Sequence, residues 1–363
     1  MQQTIEIERP FFYAQAAVDT MMRKFKAADL PPKGHFHYHQ GVFLSGVYQI
    51  YLQCKNDEYL QYVKDWVDSV IDKEGNILDY HPGHLDDIQP GILFFPLYDA
   101  AGDEKYKRAL DKLVPILLDF AKNAAGGFFH KAELSHQMWL DGLYMAGPVS
   151  AEYGYRYKKK DYLECAIEQA LLMREKTEDK ETGLWYHAWD ESRRAEWANP
   201  VTGLSSEFWG RSIGWVPVAV LGELDFIPKK HPHYQDMCSL VKDLLMAVCR
   251  YQSEEGRWYQ VVDKGGKEGN WLENSCSCLY VAAICNAVDK GILPSKYLAN
   301  ARRGYEAVIN SLSWKGEDIQ IGSVCIGTEV GDYKHYCERP VSTNDLHGVG
   351  AFLLMCAACE RML

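Results

Sequence analysis

The stretch LDGLYMAGPVSAEYG, residues 140–154, sets the reading of this 363-residue chain. Apart from Asp141 and Glu152 it is apolar or small at every position. A helix that is apolar nearly all round is buried on all sides, and its Gly and Ala let neighbouring helices pack closely. Five further segments share this character: GVFLSGVYQIYL (41–52), LDDIQPGILFFPLYDAAG (85–102), FWGRSIGWVPVAVLGEL (208–224), SCSCLYVAAICNAV (275–288) and NDLHGVGAFLLMCAAC (344–359).

Between them run segments of another kind. A tyrosine follows a short polar turn at Tyr59, Tyr106, Tyr162, Tyr234 and Tyr297, and apolar positions then recur at 3–4 spacing among Lys, Glu and Asp. Such segments predict helices with one buried and one wet face. A first one spans about 11–27. A glycine followed by a brief aromatic or β-branched run recurs at Gly34, Gly75, Gly126, Gly183 and Gly256, and less clearly at Gly322. These runs are too short for long strands and predict extended loop segments.

The order repeats as outer helix, extended loop, inner helix and tight turn. Six rounds fill the chain at roughly 60 residues per pair, given helices of three to four turns. The pattern predicts an all-α fold, an (α/α)6 barrel of six inner and six outer helices, in a single domain over 1–363. All inner helices then run the same way, and their N-termini gather at one end with the extended loops. The polar residues expected at that mouth are His35, His37 and His39 with Tyr38 among them, Asp86, Asp87, His130, Lys131, Asp141, His187, Trp209, Arg211, Trp215, Gln260, Glu273, Asp345 and His347. A mouth lined by Trp, His, Asp and Arg suits a sugar.

Each signal has a competing structural role. Asp is a favoured helix N-cap, and capping alone accounts for Asp86, Asp141 and Asp345. Asp141, however, stands beside Trp139, Met138, Leu143 and Tyr144, where desolvation should favour its protonated form. Asp86 and Asp141, from different inner helices, make an acid/base pair conceivable. Arg211 between Trp209 and Trp215 suits a carboxylate, or an internal ion pair. His187, among Trp185, Tyr186 and Trp189, serves packing equally well. Glu273 caps a helix or faces the mouth. The alternating histidines of HFHYH lack a visible fourth ligand, so no metal is expected there.

Bulk composition narrows the class. Hydrophobic residues make up 47% and aromatics 13%, and the formal net charge of −11 argues against nucleic acid and anionic membranes as partners. Eleven cysteines in no metal-ligand spacing predict reduced thiols. The N-terminus MQQTIEIERPFF lacks the pattern of a secretory leader, and no apolar run is long enough to span a membrane. A cytoplasmic protein is expected.

The strings HKAELSHQMWLDGLYMAGPVSAEYG, LWYHAWDE, FWGRSIGWVPVA and DLHGVGAFLLMCAACE together resemble glycoside hydrolase family 105, the unsaturated rhamnogalacturonyl hydrolases of pectin degradation. The resemblance runs from about Phe36 to the C-terminus and implies the same (α/α)6 barrel. It also implies hydration of the C4=C5 double bond that lyases leave in a terminal uronic acid. Asp141 would protonate C4 and accept the proton of the water that adds at C5, with Asp86 as the second catalytic carboxylate. His187, Arg211, Trp209 and Trp215 would grip the unsaturated uronate, and His130, Lys131 and Tyr38 would complete the substrate site. The implied substrate is a small oligosaccharide, and no cofactor or metal is implied. Departures from the family pattern at the N-terminus and in loops 255–275 and 314–340 leave the neighbouring sugar open. Competing expectations are a family 88 type unsaturated glucuronyl hydrolase, an inverting hydrolase using Asp86 and Asp141, a sugar isomerase or epimerase with His187 and His347 as bases, and a non-catalytic sugar-binding subunit.

Overall fold

Apolar and amphipathic segments alternate between two rings of helices in the computed structural model, which describes residues 7–363. The outer helices are α1 (Pro10–Lys24), α3 (Asp57–Val70), α5 (Glu104–Leu113), α7 (Lys160–Thr177), α9 (Tyr234–Arg250) and α11 (Leu298–Asn310). The inner helices are α2 (Tyr38–Cys54), α4 (Phe94–Ala101), α6 (Asp141–Arg156), α8 (Gly210–Glu223), α10 (Asn274–Asp289) and α13 (Leu346–Met362), and a short α12 (Tyr333–Cys337) lies in the last long loop. Helix α3 buries Tyr59, Tyr62, Val63, Trp66, Val67 and Val70, one stripe at 3–4 spacing. Helix α6 buries every residue from Gly142 to Gly154, and α10 every residue from Asn274 to Cys285. Burial on all sides is what their missing charges demand.

The inner ring closes. Helix α2 packs on the 89–93 turn, that turn on α6, α6 on α8, α8 on α10, α10 on α13, and α13 back on α2. Each outer helix packs on an inner one beside it in sequence. The expected (α/α)6 barrel is the fold observed. The α13–α2 seam is tight: a Cβ on Gly350 would stand 2.6 Å from the Val42 carbonyl oxygen. No side chain fits there without moving backbone. Among the described residues, no helix is long and apolar enough to cross a membrane.

The second inner segment departs from the expected continuous helix. Its chain makes two 3-10 turns, Leu85–Asp87 and Gln89–Leu93, before α4 begins at Phe94. Pro90 supplies no N–H and disfavours the α conformation at the residue before it. Asp86 therefore sits on a separate turn and caps no α-helix.

The extended loops form short antiparallel pairs at the mouth. Strand β1 (Gln137–Trp139) pairs with β2 (Ala188–Asp190), β3 (Trp258–Tyr259) with β4 (Leu272–Glu273), β5 (Ser313–Lys315) with β6 (Asp318–Gln320), and β7 (Val324–Cys325) with β8 (Val341–Ser342).

One core group titrates where it should not. Glu223 ends α8 fully buried, both carboxyl oxygens lack a hydrogen-bond partner, and one of them occupies the space a Cβ on Gly147 would need. Burial alone pushes this carboxyl from 4.5 up to about 8. In that window the folded chain keeps a proton that the unfolded chain has released. Stability contributed by neutral Glu223 is thus complete below pH 4.5 and lost progressively towards pH 8. Glu223→Gln should match the parent near pH 4.5, exceed it at pH 8 in urea unfolding, and flatten the decline between. An identical decline in both proteins would refute a neutral buried carboxyl.

Candidate active site

Strand β1 runs directly into α6, and its partner β2 follows His187. The register Trp139↔Ala188 and the 3.0 Å bond from the Leu140 N–H to the His187 carbonyl bring His187 to the start of α6. Asp141 is the first residue of that helix, which Leu140 precedes as N-cap, and the hydrogen bond its side chain makes is to His187, not to a helix N–H. Its Oδ2 lies 3.1 Å from His187 Nε2. His187 Nδ1 lies 2.6 Å from the Tyr336 hydroxyl, which also accepts the Gly331 N–H at 3.1 Å. With Asp141 ionised, the chain of bonds runs in one direction. Gly331 donates to Tyr336, Tyr336 to His187 Nδ1, and His187 Nε2–H to the Asp141 carboxylate.

The carboxyl's balance runs against the expectation that desolvation favours protonated Asp141. Burial does push the carboxyl up, but the His187 hydrogen bond, the His187 and His130 rings and the Arg211 charge together hold it below its ordinary value of 3.8. Burial likewise lowers His187, against the pull of Asp141. The resting pair is a neutral imidazole donating to a carboxylate.

Asp86 has a separate basic partnership, with His130 Nε2 3.4 Å from Oδ1 and Lys131 Nζ 3.4 Å from Oδ2. Burial raises this carboxyl, yet His130, His37 and Lys131 outweigh it and keep Asp86 strongly ionised. His130 stacks flat on Trp139 at 4.4 Å. Asp86 and Asp141 open on one cleft of about 410 Å³, lined also by His37, Tyr38, His130, Lys131, Trp139, Met145 and Arg339. A volume of this size accommodates a small ligand. Desolvation lowers His37 to about 4 and His39 to about 3, so both are neutral at neutral pH.

Residues 13–363 match the model of a known family, described as Glycosyl Hydrolase Family 88. The chain belongs to that family. The likeness to family 105 expected from the motifs is also found. A C. acetobutylicum ATCC 824 glycoside hydrolase from family 105 superposes with a TM-score of 0.91 at 29% identity, covering 96% of this chain and 99% of its own. The unsaturated rhamnogalacturonyl hydrolase YesR of Bacillus subtilis (strain 168) is 27% identical over 80% of this chain and 79% of its own length. The unsaturated glucuronyl hydrolase of Bacillus sp. GL1, responsible for glycosaminoglycan degradation, shares the fold with a TM-score of 0.72 at 16% identity, covering 96% and 95% of the two chains.

Within this glycoside hydrolase, the residues expected at the mouth divide into two layers. Asp86, Asp141, His130, Lys131, His37, Tyr38 and His39 line the cleft. His187, Trp209, Arg211 and Trp215 are buried and stand behind its lining. The sequence expectation placed these four against the sugar; in the structure they are packed behind the residues that line the cleft. Trp215 stacks on Tyr144 at 4.6 Å, within the core. Arg211 lies over Trp209 and donates to the carbonyls of Cys325 at 2.6 Å and Ile326 at 2.7 Å.

Several expected mouth residues converge on Cys325 instead. His347 Nε2 reaches the Cys325 carbonyl at 3.0 Å, Gln260 reaches its Sγ at 2.9 Å, and the Cys325 N–H donates to Glu273 at 2.9 Å. Glu273 also caps α10 through the Cys276 N–H, and Asp345 lies 2.7 Å from His347 Nδ1. These groups hold the 325–339 loop over the cleft. Gly327, Thr328, Glu329, His335 and Arg339 of that loop line it and are missed by sequence reasoning, although the polar run TEVGDYKHYCERP lies in a loop flagged as divergent.

Tyr336 sets the His187 tautomer from that loop. Tyr336→Phe leaves His187 Nδ1 and the Gly331 N–H without their partner and should cost about 1–3 kcal/mol of stability. It should lower kcat more than it raises KM, because the ring's orientation is lost and the cleft lining stays. Unchanged kcat in initial-rate measurements would show that the Gly331–Tyr336–His187 chain does not serve Asp141.

Proposed function

We propose that the protein is an unsaturated rhamnogalacturonyl hydrolase, acting on pectin-derived oligosaccharides with a terminal 4-deoxy-unsaturated uronic acid. The observation that carries this reading is the pair of carboxylates on one cleft, each held by its own basic partner. Asp141 is the movable proton site, and Asp86, gripped by Lys131 and His130, is the fixed anion. The similarity to YesR supports rhamnose as the neighbouring sugar. A second reading, an unsaturated glucuronyl hydrolase, draws on the match to family 88. It uses the same chemistry on a different sugar. The ring acts as one catalytic unit over the chain, and its eleven unpaired cysteines support a cytoplasmic setting.

The reaction adds water across the double bond. Protonated Asp141 delivers its proton to C4, and positive charge develops at C5 and the ring oxygen. Asp86 faces that charge as a stable anion. Water adds to C5 and returns its proton to Asp141. The C5 hemiketal opens to a ketone, the ring oxygen passes to the anomeric carbon as a hemiacetal hydroxyl, and the hemiacetal releases the next sugar. The resting Asp141 is ionised, so its proton has to arrive with the substrate. A uronate carboxylate entering the cleft places like charge near Asp141 and displaces water, and both effects favour the protonated acid.

Two measurements test this. Asp141→Asn should lower the rate by about 10²–10⁴-fold with the fold intact, and in deuterated water the parent should place one deuterium at C4. Loss of the disaccharide with its ultraviolet absorbance preserved would instead mean direct glycosidic hydrolysis. A panel of lyase-derived disaccharides separates rhamnose from glycosaminoglycan partners. As to pH, the reactive free enzyme is the one with Asp141 protonated. That fraction falls as pH rises through a value held below 3.8. The kcat/KM should therefore decline with rising pH across the neutral range, towards tenfold per unit, while kcat declines only at higher pH. A kcat/KM that rises over that range would exclude Asp141 as the acid.

A further inference from the structure

Outside the cleft lining, His35, His81 and Asp87 bring three ligand atoms within 4.8 Å of one another. Two separate loop segments supply them. The Phe36 N–H donates to the Asp79 carbonyl at 2.9 Å, which lays the 35–37 segment along 79–81. The turn that follows returns Asp87 beneath His81, whose N–H donates to Asp87 Oδ2 at 2.7 Å. Read along the chain, HFHYH offers no complete ligand set. The fold adds His81 and Asp87 to it.

The bonding around this cluster leaves a buried carboxylate oxygen and ring nitrogens with lone pairs to offer. Asp87 is fully buried, and its Oδ1 has no hydrogen-bond partner. His35 Nδ1 lies 3.0 Å from the Asp79 carboxylate and so carries the proton there, which leaves the Nε2 lone pair facing Asp87 Oδ2 at 3.5 Å. His81 Nδ1 faces the same oxygen at 3.2 Å. At His35 lone pair opposes lone pair unless a proton or a metal lies between, and His81 Nδ1 can either donate to Asp87 or share the metal with it. A histidine whose second nitrogen donates to a carboxylate is the usual outer support of a metal ligand. Bonds of ~2.0–2.2 Å in a tetrahedral site separate the ligand atoms by ~3.3–3.6 Å; the 3.5 Å spacing falls within that range and the 3.2 Å spacing just under it. His81 is 58% exposed at its side chain, so the fourth position opens to solvent.

We propose that His35, His81 and Asp87 bind one divalent first-row transition-metal ion of the zinc type, with Asp79 as the supporting carboxylate and water as the fourth ligand. The ion clamps the HFHYH segment to the turn that carries Asp86, one residue from Asp87. The site is independent of the sugar assigned to the cleft. A second His/Asp cluster, His39, Asp345 and His347, does not fit. Its spacings from Asp345 Oδ1, 2.7 Å to His347 and 4.0 Å to His39, miss the tetrahedral edge, and His347 Nε2 is engaged by Cys325.

The test is a zinc(II) titration of the chelator-stripped full chain against a chromophoric competitor, with thermal unfolding followed in parallel. One equivalent should bind, and it should raise Tm. His81→Ala, at an exposed side chain, should fold normally, lose at least ~100-fold in zinc affinity, and show no zinc-dependent rise in Tm. Asp79→Asn should lose ~10–100-fold, as expected for an outer-shell partner. Cobalt(II) in the parent should give the intense visible absorption of a four-coordinate ion, which His81→Ala abolishes. Failure to retain zinc at one equivalent would overturn the proposal, and so would equal affinity in parent and His81→Ala, which would place the ion on cysteines or the second cluster. Neither outcome touches the assignment of Asp141.

Discussion

Arg211 is a permanent cation with 2% of its surface exposed, and much of the mouth is arranged to satisfy it. A buried guanidinium has to spend its donors on acceptors. It finds the carbonyls of Cys325 and Ile326 and the face of Trp209. By meeting that need the barrel acquires its roof. His347, Gln260 and Glu273 fasten the same residue from three other elements. The loop so held carries Tyr336, and Tyr336 orients His187 against Asp141. One buried charge thus ties the inner helices to the loop and the loop to Asp141.

The two carboxylates of the cleft show how environment divides chemically identical groups. Asp86 is buried and Asp141 half-buried, and desolvation pushes both carboxyls up. Asp86 receives two basic partners and stays charged. Asp141 receives a neutral imidazole and more distant cations, so its charge is held more lightly. A group of that kind can gain a proton when an anion arrives. The difference in how firmly the two charges are held lies in the neighbours, none of which adjoins either residue in sequence.

Much of the architecture was legible in the sequence because burial on all sides excludes charge. The stretch 140–154 and its five counterparts announce inner helices through what they lack, and α6, α10 and α13 fall where they do. The seam at Gly350 is implied by the same economy of side chains. Pro90 broke the pattern: the segment at 85–102 reads as one helix by composition, but a missing N–H splits it into turns. Among the cleft-lining residues, Asp86 and Asp141 were visible as charges at inner-segment starts, and His130 and Lys131 as polar residues in the extended run after Gly126. Arg339, Tyr336 and the rest of the roof were not, since a loop without periodicity gives no clue to where its ends are fastened.

Composition and period alone determined the double ring, the common end of the inner helices and the set of polar residues gathered there, because hydrophobic burial depends only on which residues follow which. Only the tertiary structure decided which of those residues line the cleft and which hold its wall. Capping, ion pairing and substrate contact use the same side chains, and the choice among them rests on partners brought from distant segments. Asp141 met His187 and not a helix N–H, Glu273 met a helix N–H and a loop, and Arg211 met two carbonyls. Those encounters are set by the packing of the rings, which no local stretch of the chain contains.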